Sequence, residues 1–235
     1  MNSSAFAPGH DEALAALTDA HNYNAWIFDR AAPYLGKRVL DVGAGLGTFT
    51  ERAAARAEHV TALEPDPPFA ARLRERFAGS AVVDVVELEL EALDADSYAA
   101  SFDSIMCFNV LEHLGDDETA LRTFHRLLAP GGFALLLVPA HEWLSSPFDR
   151  DVGHERRYTL APMRALLATT GFHPEELRYV NPVGALGWLA SMRLRRRHVL
   201  PTGQVRLFDR MVPFLRPLDR LRLPFGQSLW VAARR

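Results

Sequence analysis

Two patterns of apolar residues alternate along most of the chain: short solid runs and longer stretches with helical spacing. Residues 11–32 carry apolar side chains at helical intervals, among them Leu14, Leu17, Trp26 and Ile27, before Pro33 and Gly36 interrupt. The run 38–42 predicts a buried strand, and 43–47 a glycine-rich turn. The same reading gives a helix over 48–57, a strand over 59–63, a helix over 67–78 and a strand over 82–86. A fourth strand is predicted over 102–108, then a helix reaching residue 128. Pro130, Gly131 and Gly132 predict a turn, and 133–138 a fifth strand. Strands alternating with helices predict a parallel sheet covered on both faces, with the loops after the strands gathered at one edge.

The rhythm breaks after Pro139. Residues 140–159 are polar and aromatic and predict a long loop. A helix over 160–170, a sixth strand over 177–180 and a last strand over 228–232 follow. Residues 183–224 have no place in a simple α/β repeat and read as a helical lid or insertion. Nine arginines stand there against Asp209 and Asp219, a local surplus of seven positive charges, with apolar residues interleaved. Three readings stay open: a lid or dimer arm with solvated arginines, an attraction for an anionic acceptor, or contact of 184–200 with an anionic membrane surface.

Composition narrows the class. With 235 residues, 49% of them apolar, the chain suits a single domain spanning 1–235, with 1–33 as an N-terminal helical cap. A net charge of −3 gives no bulk attraction to nucleic acid. Cys107 is the only cysteine, so no internal disulfide forms. Residues 1–10 lack the pattern of a signal peptide, and no apolar run is long enough to span a bilayer. A cytoplasmic protein, monomeric or homodimeric, is expected.

The strongest chemical signal is the passage from the first strand into its turn, with Asp41, Gly43, Ala44, Gly45 and Gly47. Glycines let the backbone bend sharply and let a ligand approach the main chain. The spacing is GxGxG, not the GxGxxG of dinucleotide binders. A carboxylate at Asp41 repels a pyrophosphate, but accepts hydrogen bonds from loop N–H groups or favours a cationic ligand. Glu64, followed by Pro65, closes the second strand, where a carboxylate can accept from both hydroxyls of a ribose.

Taken together, these residues resemble the class I S-adenosylmethionine-dependent methyltransferases. Residues 40–47 match the family's first motif, Glu64 its ribose-binding acid, 102–114 its fourth-strand motif and 127–132 the turn before its fifth strand. The resemblance implies a Rossmann-like α/β fold: a seven-stranded, mostly parallel sheet with helices on both faces and the last strand antiparallel. It also implies S-adenosylmethionine as cofactor and S-adenosylhomocysteine as product. After the third strand the family carries Gly-Asp where this chain has Leu88 and Glu89. Glu89 and the Leu90 N–H either meet the adenine, or Glu89 is a solvated charge.

Methyl transfer from a sulfonium needs a nucleophile held in line and, for a hydroxyl or ammonium, a base. His154 is the first candidate base, because imidazole titrates near neutral pH, and His141 the second. Tyr158 stands in the same loop, and residues 153–159 resemble a Gly-His-x-Arg-Arg-Tyr segment found in a subgroup of these enzymes. The alternative for His154 is a structural network with the neighbouring arginines. Asn109 is expected near the methionine end of the cofactor, with Tyr23 and Arg30 covering it and Arg30 near its carboxylate. His113, Trp143 and Arg157 are candidates for the acceptor. Asp149, Asp151, His154 and Glu155 match no calcium or zinc spacing, so a metal-free site is expected. The expected function is methylation of a small-molecule acceptor at oxygen or nitrogen. RNA or protein methylation, and a silent cofactor-binding subunit, are the alternatives.

Overall fold

The computed structural model describes residues 17–199 and 201–235. Part of the first predicted helix, the leader assignment at 1–10 and Leu200 lie outside them. Seven strands form one sheet: β1 (Arg38–Val42), β2 (His59–Leu63), β3 (Val83–Val86), β4 (Phe102–Phe108), β5 (Leu128–Pro139), β6 (His173–Val180) and β7 (Ser228–Arg234). Their spatial order is β3-β2-β1-β4-β5-β7-β6, parallel except for β7, which runs antiparallel between β5 and β6. The solid apolar runs become central strands because both their faces are covered. One face packs on α1 (His21–Ala31), α2 (Thr48–Ala54) and α3 (Pro67–Arg76), through Ile27, Ala53 and Leu73. The other packs on α4 (Asp117–Leu127) and α6 (Leu160–Thr169), through Phe124 and Leu167. Among the described residues no helix is long and apolar enough to cross a membrane.

Several boundaries differ from the sequence reading. The first helix is interrupted before His21, where the Asn24 amide donates to the carbonyls of Leu17 (2.8 Å) and Thr18 (3.2 Å) and caps the turn there. After β4 a single turn of 3-10 helix (Leu111–His113) precedes α4, whose separate start is capped by Asp116 accepting from the Thr119 N–H at 2.9 Å. The expected turn at 130–132 is absorbed into β5 as an irregularity in its pairing with β4. Gly131 takes φ +79°, and a Cβ on Gly132 would stand 2.9 Å from the Asp103 carbonyl. The long loop contains a 3-10 turn (Glu142–Leu144) and the short helix α5 (Pro147–Asp151).

Two helical stretches make up most of the insertion: α7 (Pro182–Trp188) runs into a π turn (Leu189–Arg193), and α8 (Thr202–Leu215) into a 3-10 stretch (Arg216–Leu221). Two buried aspartates fasten this segment to the body. Asp209 accepts from the Tyr23 N–H (2.9 Å) and the Asn22 amide (3.1 Å) at the start of α1. Asp219 accepts from the Asn181 N–H (3.0 Å) and pairs with Arg30, which packs on Trp26. Asp219→Ala leaves the Arg30 guanidinium buried without its counter-ion. We expect it to lower stability by about 3–5 kcal/mol in urea unfolding; a loss below 1 kcal/mol refutes the pin.

Candidate functional site

The strand order reverses between β1 and β4, so the loops after these strands diverge and open a crevice at the sheet edge. A cleft of about 880 Å³ lies there. Gly43, Gly45 and Gly47 have φ of +68°, +55° and +79°, the left-handed region that side chains resist. The Gly43 and Ala44 N–H groups donate to the Leu63 carbonyl at 2.8 and 3.1 Å, tying the turn to the end of β2. A Cβ on Gly43 would stand 2.4 Å from Val110 Cγ2, so glycine is also required by the approach of the β4 loop.

Glu64 completes this wall. Its carboxylate accepts from the Gly45 N–H at 2.7 Å and the Asp66 N–H at 3.0 Å. Each oxygen keeps acceptor capacity, because a carboxylate offers about four lone-pair sites. Burial raises its pKa, and the two N–H bonds oppose that shift. Ala44, Pro65, Glu89, Leu90, Asn109 and Tyr23 line the same cleft. Asn109 adopts φ +54°, and its N–H donates to the Leu137 carbonyl at 2.7 Å.

The opposite wall comes from the loop after β5. Asp149 is its hub: it accepts from the Ser146 N–H (2.8 Å) and hydroxyl (2.7 Å), from Arg157 Nη2 (2.6 Å) and Nε (3.0 Å), and meets His154 Nδ1 at 2.9 Å. Burial pushes the Asp149 pKa up, but His154, Arg157 and Ser146 outweigh it and hold it at about 2. An ionised carboxylate only accepts, so Nδ1 of His154 carries the proton that faces Asp149, and Nε2 is turned away from it. That nitrogen is 3.9 Å from Glu112 Oε1. Glu112 is fully buried, neither of its oxygens has a hydrogen-bond partner, and burial raises its pKa to about 8. His113, His154 and Arg157 line the cleft, closed on this side by Phe148, Val152, Trp188 and Met192, while Phe208 packs on Tyr23.

Six sequence-predicted site residues stand elsewhere. Arg30 is held by Asp219 in a separate pocket behind α1, too far into the body to cover a ligand. Asp41 is buried beneath the loop and accepts from the Thr50 hydroxyl at 2.6 Å rather than from loop N–H groups. Gly47 caps α2, and its missing Cβ makes room for Leu73 and Phe77. His141 is buried with its ring 4.2 Å from that of Tyr179, and burial lowers its pKa. Tyr158 is buried, donates to the Leu111 carbonyl (3.3 Å) and to Asp117 (3.1 Å), and is pushed well above its ordinary pKa by burial. Trp143 packs near His141, outside the cleft. The sequence reading gave Glu112 no role and did not single out the lid's inward side chains, Trp188 and Phe208. A carboxylate in an otherwise apolar stretch was the available sign for Glu112.

A methyltransferase-domain profile matches residues 40–134. The ubiquinone biosynthesis O-methyltransferase of Erwinia tasmaniensis is 31% identical over 180 residues, 74% of this chain and 68% of that protein. A crystal structure of an S-adenosylmethionine-dependent methyltransferase from Mesorhizobium loti overlays with a TM-score of 0.64 at 19% identity, covering 92% of this chain and 100% of that one. The 1,6-didemethyltoxoflavin-N1-methyltransferase of Burkholderia thailandensis, with bound 1,6-didemethyltoxoflavin and S-adenosylhomocysteine, gives 0.59 at 21% identity, over 100% of this chain and 93% of that one. These two overlays speak for the fold.

Asp41 yields a pH test. Burial raises its pKa to about 7 against the Thr50 hydrogen bond. As pH rises from about 4 to 7, the unfolded chain gives up this proton while the folded chain keeps it, so stability falls across that window. Asp41→Asn is expected to flatten that part of the plot of Tm against pH. Parallel curves for the two proteins overturn the assignment.

Proposed function

The chain belongs to the class I S-adenosylmethionine-dependent methyltransferases, and within that family we propose that it methylates a hydroxyl group on a small, largely apolar acceptor. The observation that carries this reading is the pairing, across one cleft, of the Glu64-braced glycine turn with an apolar wall holding His154 in a fixed tautomer. The O-methyltransferase relatives support oxygen as the methylated atom.

S-adenosylmethionine is the methyl donor; bound, it supplies an activated methyl group that leaves sulfur without further activation. The residues fit it. Gly43 to Gly45 and Asn109 would hold its methionine part, and Glu64 would accept from the ribose hydroxyls. Leu90 and Glu89 would meet the adenine. Phe148, Val152, Trp188 and Met192 take the apolar body of the acceptor and exclude water, which sharpens every polar interaction inside. His154, on that wall, promotes loss of the hydroxyl proton. Asp149, held by Arg157, keeps the imidazole aimed.

Incubation of the protein with S-adenosylmethionine labelled in its methyl group and a metabolite extract, followed by mass spectrometry, should yield a labelled methyl ether. Label found only in RNA or protein, or nowhere, rejects the reading. Glu64→Ala is expected to weaken S-adenosylmethionine binding by ~1–3 kcal/mol in calorimetry, through lost charge-assisted hydrogen bonds; unchanged affinity removes its ribose role. His154→Ala should lower kcat by roughly 10²–10⁴ while leaving S-adenosylhomocysteine affinity intact. Full turnover in that variant places the proton elsewhere.

A further inference from the structure

Glu112 is a carboxylate that methyl transfer by itself does not require. It is fully buried, on the turn directly after β4, and both oxygens lack hydrogen-bond partners. A buried carboxylate without a partner costs several kcal/mol, and folded proteins relieve that cost by protonating it, by pairing it or by coordinating a cation. Arg157 is already committed to Asp149 and to the Ala140 carbonyl. Two imidazoles stand beside Glu112 instead. Ligating atoms of Glu112, His113 and His154 all lie within 4.8 Å of one another. The rings of the two histidines meet edge to face at 4.8 Å.

The surroundings of His154 point the same way. Its Nδ1 meets Asp149, so Nε2 turns toward Glu112. A carboxylate behind an imidazole, fixing its tautomer and raising its basicity, is the usual support of a metal-binding histidine. Backbone bonds hold the three residues in place: the Glu155 N–H donates to the Glu112 carbonyl (2.9 Å), the His113 N–H to Val110 (2.9 Å), and the His154 N–H to Asp149 (2.8 Å).

We propose that Glu112, His113 and His154 bind one divalent transition-metal cation on the acceptor side of the cleft. Two imidazoles and one carboxylate favour zinc, cobalt, iron or manganese over calcium or magnesium, which prefer oxygen ligands. The proposed site departs from the metal-free expectation, which rested on sequence spacing: two ligands come from the turn after β4 and the third from a loop some forty residues on. Three protein ligands leave a position open, and both histidines line the cleft. The role of the cation rests on the O-methylation reading. With the cation bound, His154 serves as a ligand in place of a base: the acceptor hydroxyl takes the open position and releases its proton to water. Its oxygen then forms a bond to the methyl carbon as the carbon–sulfur bond breaks, and that bond's electron pair passes to sulfur.

The test uses untagged full-length protein, stripped with chelator and titrated with cobalt chloride. Visible absorption reports binding, and calorimetry with S-adenosylhomocysteine reports folding of the cofactor site. One equivalent of cobalt is expected, with absorption bands of a nitrogen- and oxygen-ligated ion. Glu112→Gln and, as a second variant, His113→Ala should each weaken cobalt binding about 10–100-fold while S-adenosylhomocysteine affinity holds. No uptake by the wild-type chain at millimolar cobalt overturns the site, as does equal uptake by both variants. Cobalt bound without methylation of any hydroxyl acceptor sustains the site and sinks the O-methylation reading. Methyl ethers formed at full rate by the stripped protein sustain the O-methylation reading and refute the cation's role in it.

Discussion

The reversal of strand order between β1 and β4 is the constraint on which the site depends. Chain growth from β1 proceeds outward through β2 and β3, and from β4 outward through β5 in the other direction. The loops after β1 and β4 are therefore the pair with no crossover between them, and the space they leave is the cleft. Everything specific is built on that vacancy. Glu64 fixes one lip by holding the Gly45 N–H, and the Glu112 turn forms the other. The close approach of Val110 to Gly43 sets how near the lips come.

Much of this was legible in the sequence, for a physical reason. Parallel strands covered on both faces must be apolar throughout, and a turn with φ above zero at alternate positions selects glycine, so the central sheet and the first lip are written in local composition. Helix ends were less legible, because side-chain bonds set them: Asn24 ends one turn and Asp116 starts α4, and neither choice follows from hydrophobic spacing. The turn at 130–132 misled for the opposite reason, since pairing with β4 overrode the local signal of proline and glycine.

Assignments in the site separated along the same line. Most candidates on the strand-end loops reach the cleft, whereas Arg30, His141, Tyr158 and Trp143 are claimed by partners that no local pattern announces. Arg30 answers to Asp219, 189 residues away. Tyr158 answers to Asp117. Asp149 shows the converse: an aspartate without a distinctive motif gathers Ser146, His154 and Arg157 and decides how the imidazole faces. A charged residue in a loop thus acquires meaning from its counter-charge, and that is a property of the tertiary structure.

The placement of β7 has a consequence for biogenesis. This strand is the last of the seven to be synthesised, yet it occupies an interior slot, with β5 on one side and β6 on the other. Until it arrives, β6 has no neighbour to bond with, and the apolar surface that Trp230 and Val231 cover stays open to solvent. During synthesis the sheet therefore has a gap rather than a ragged border until β7 emerges. An exposed slot of that kind is a ready receptor for a foreign strand, so the interval before β7 inserts is when the protein is most in need of a chaperone.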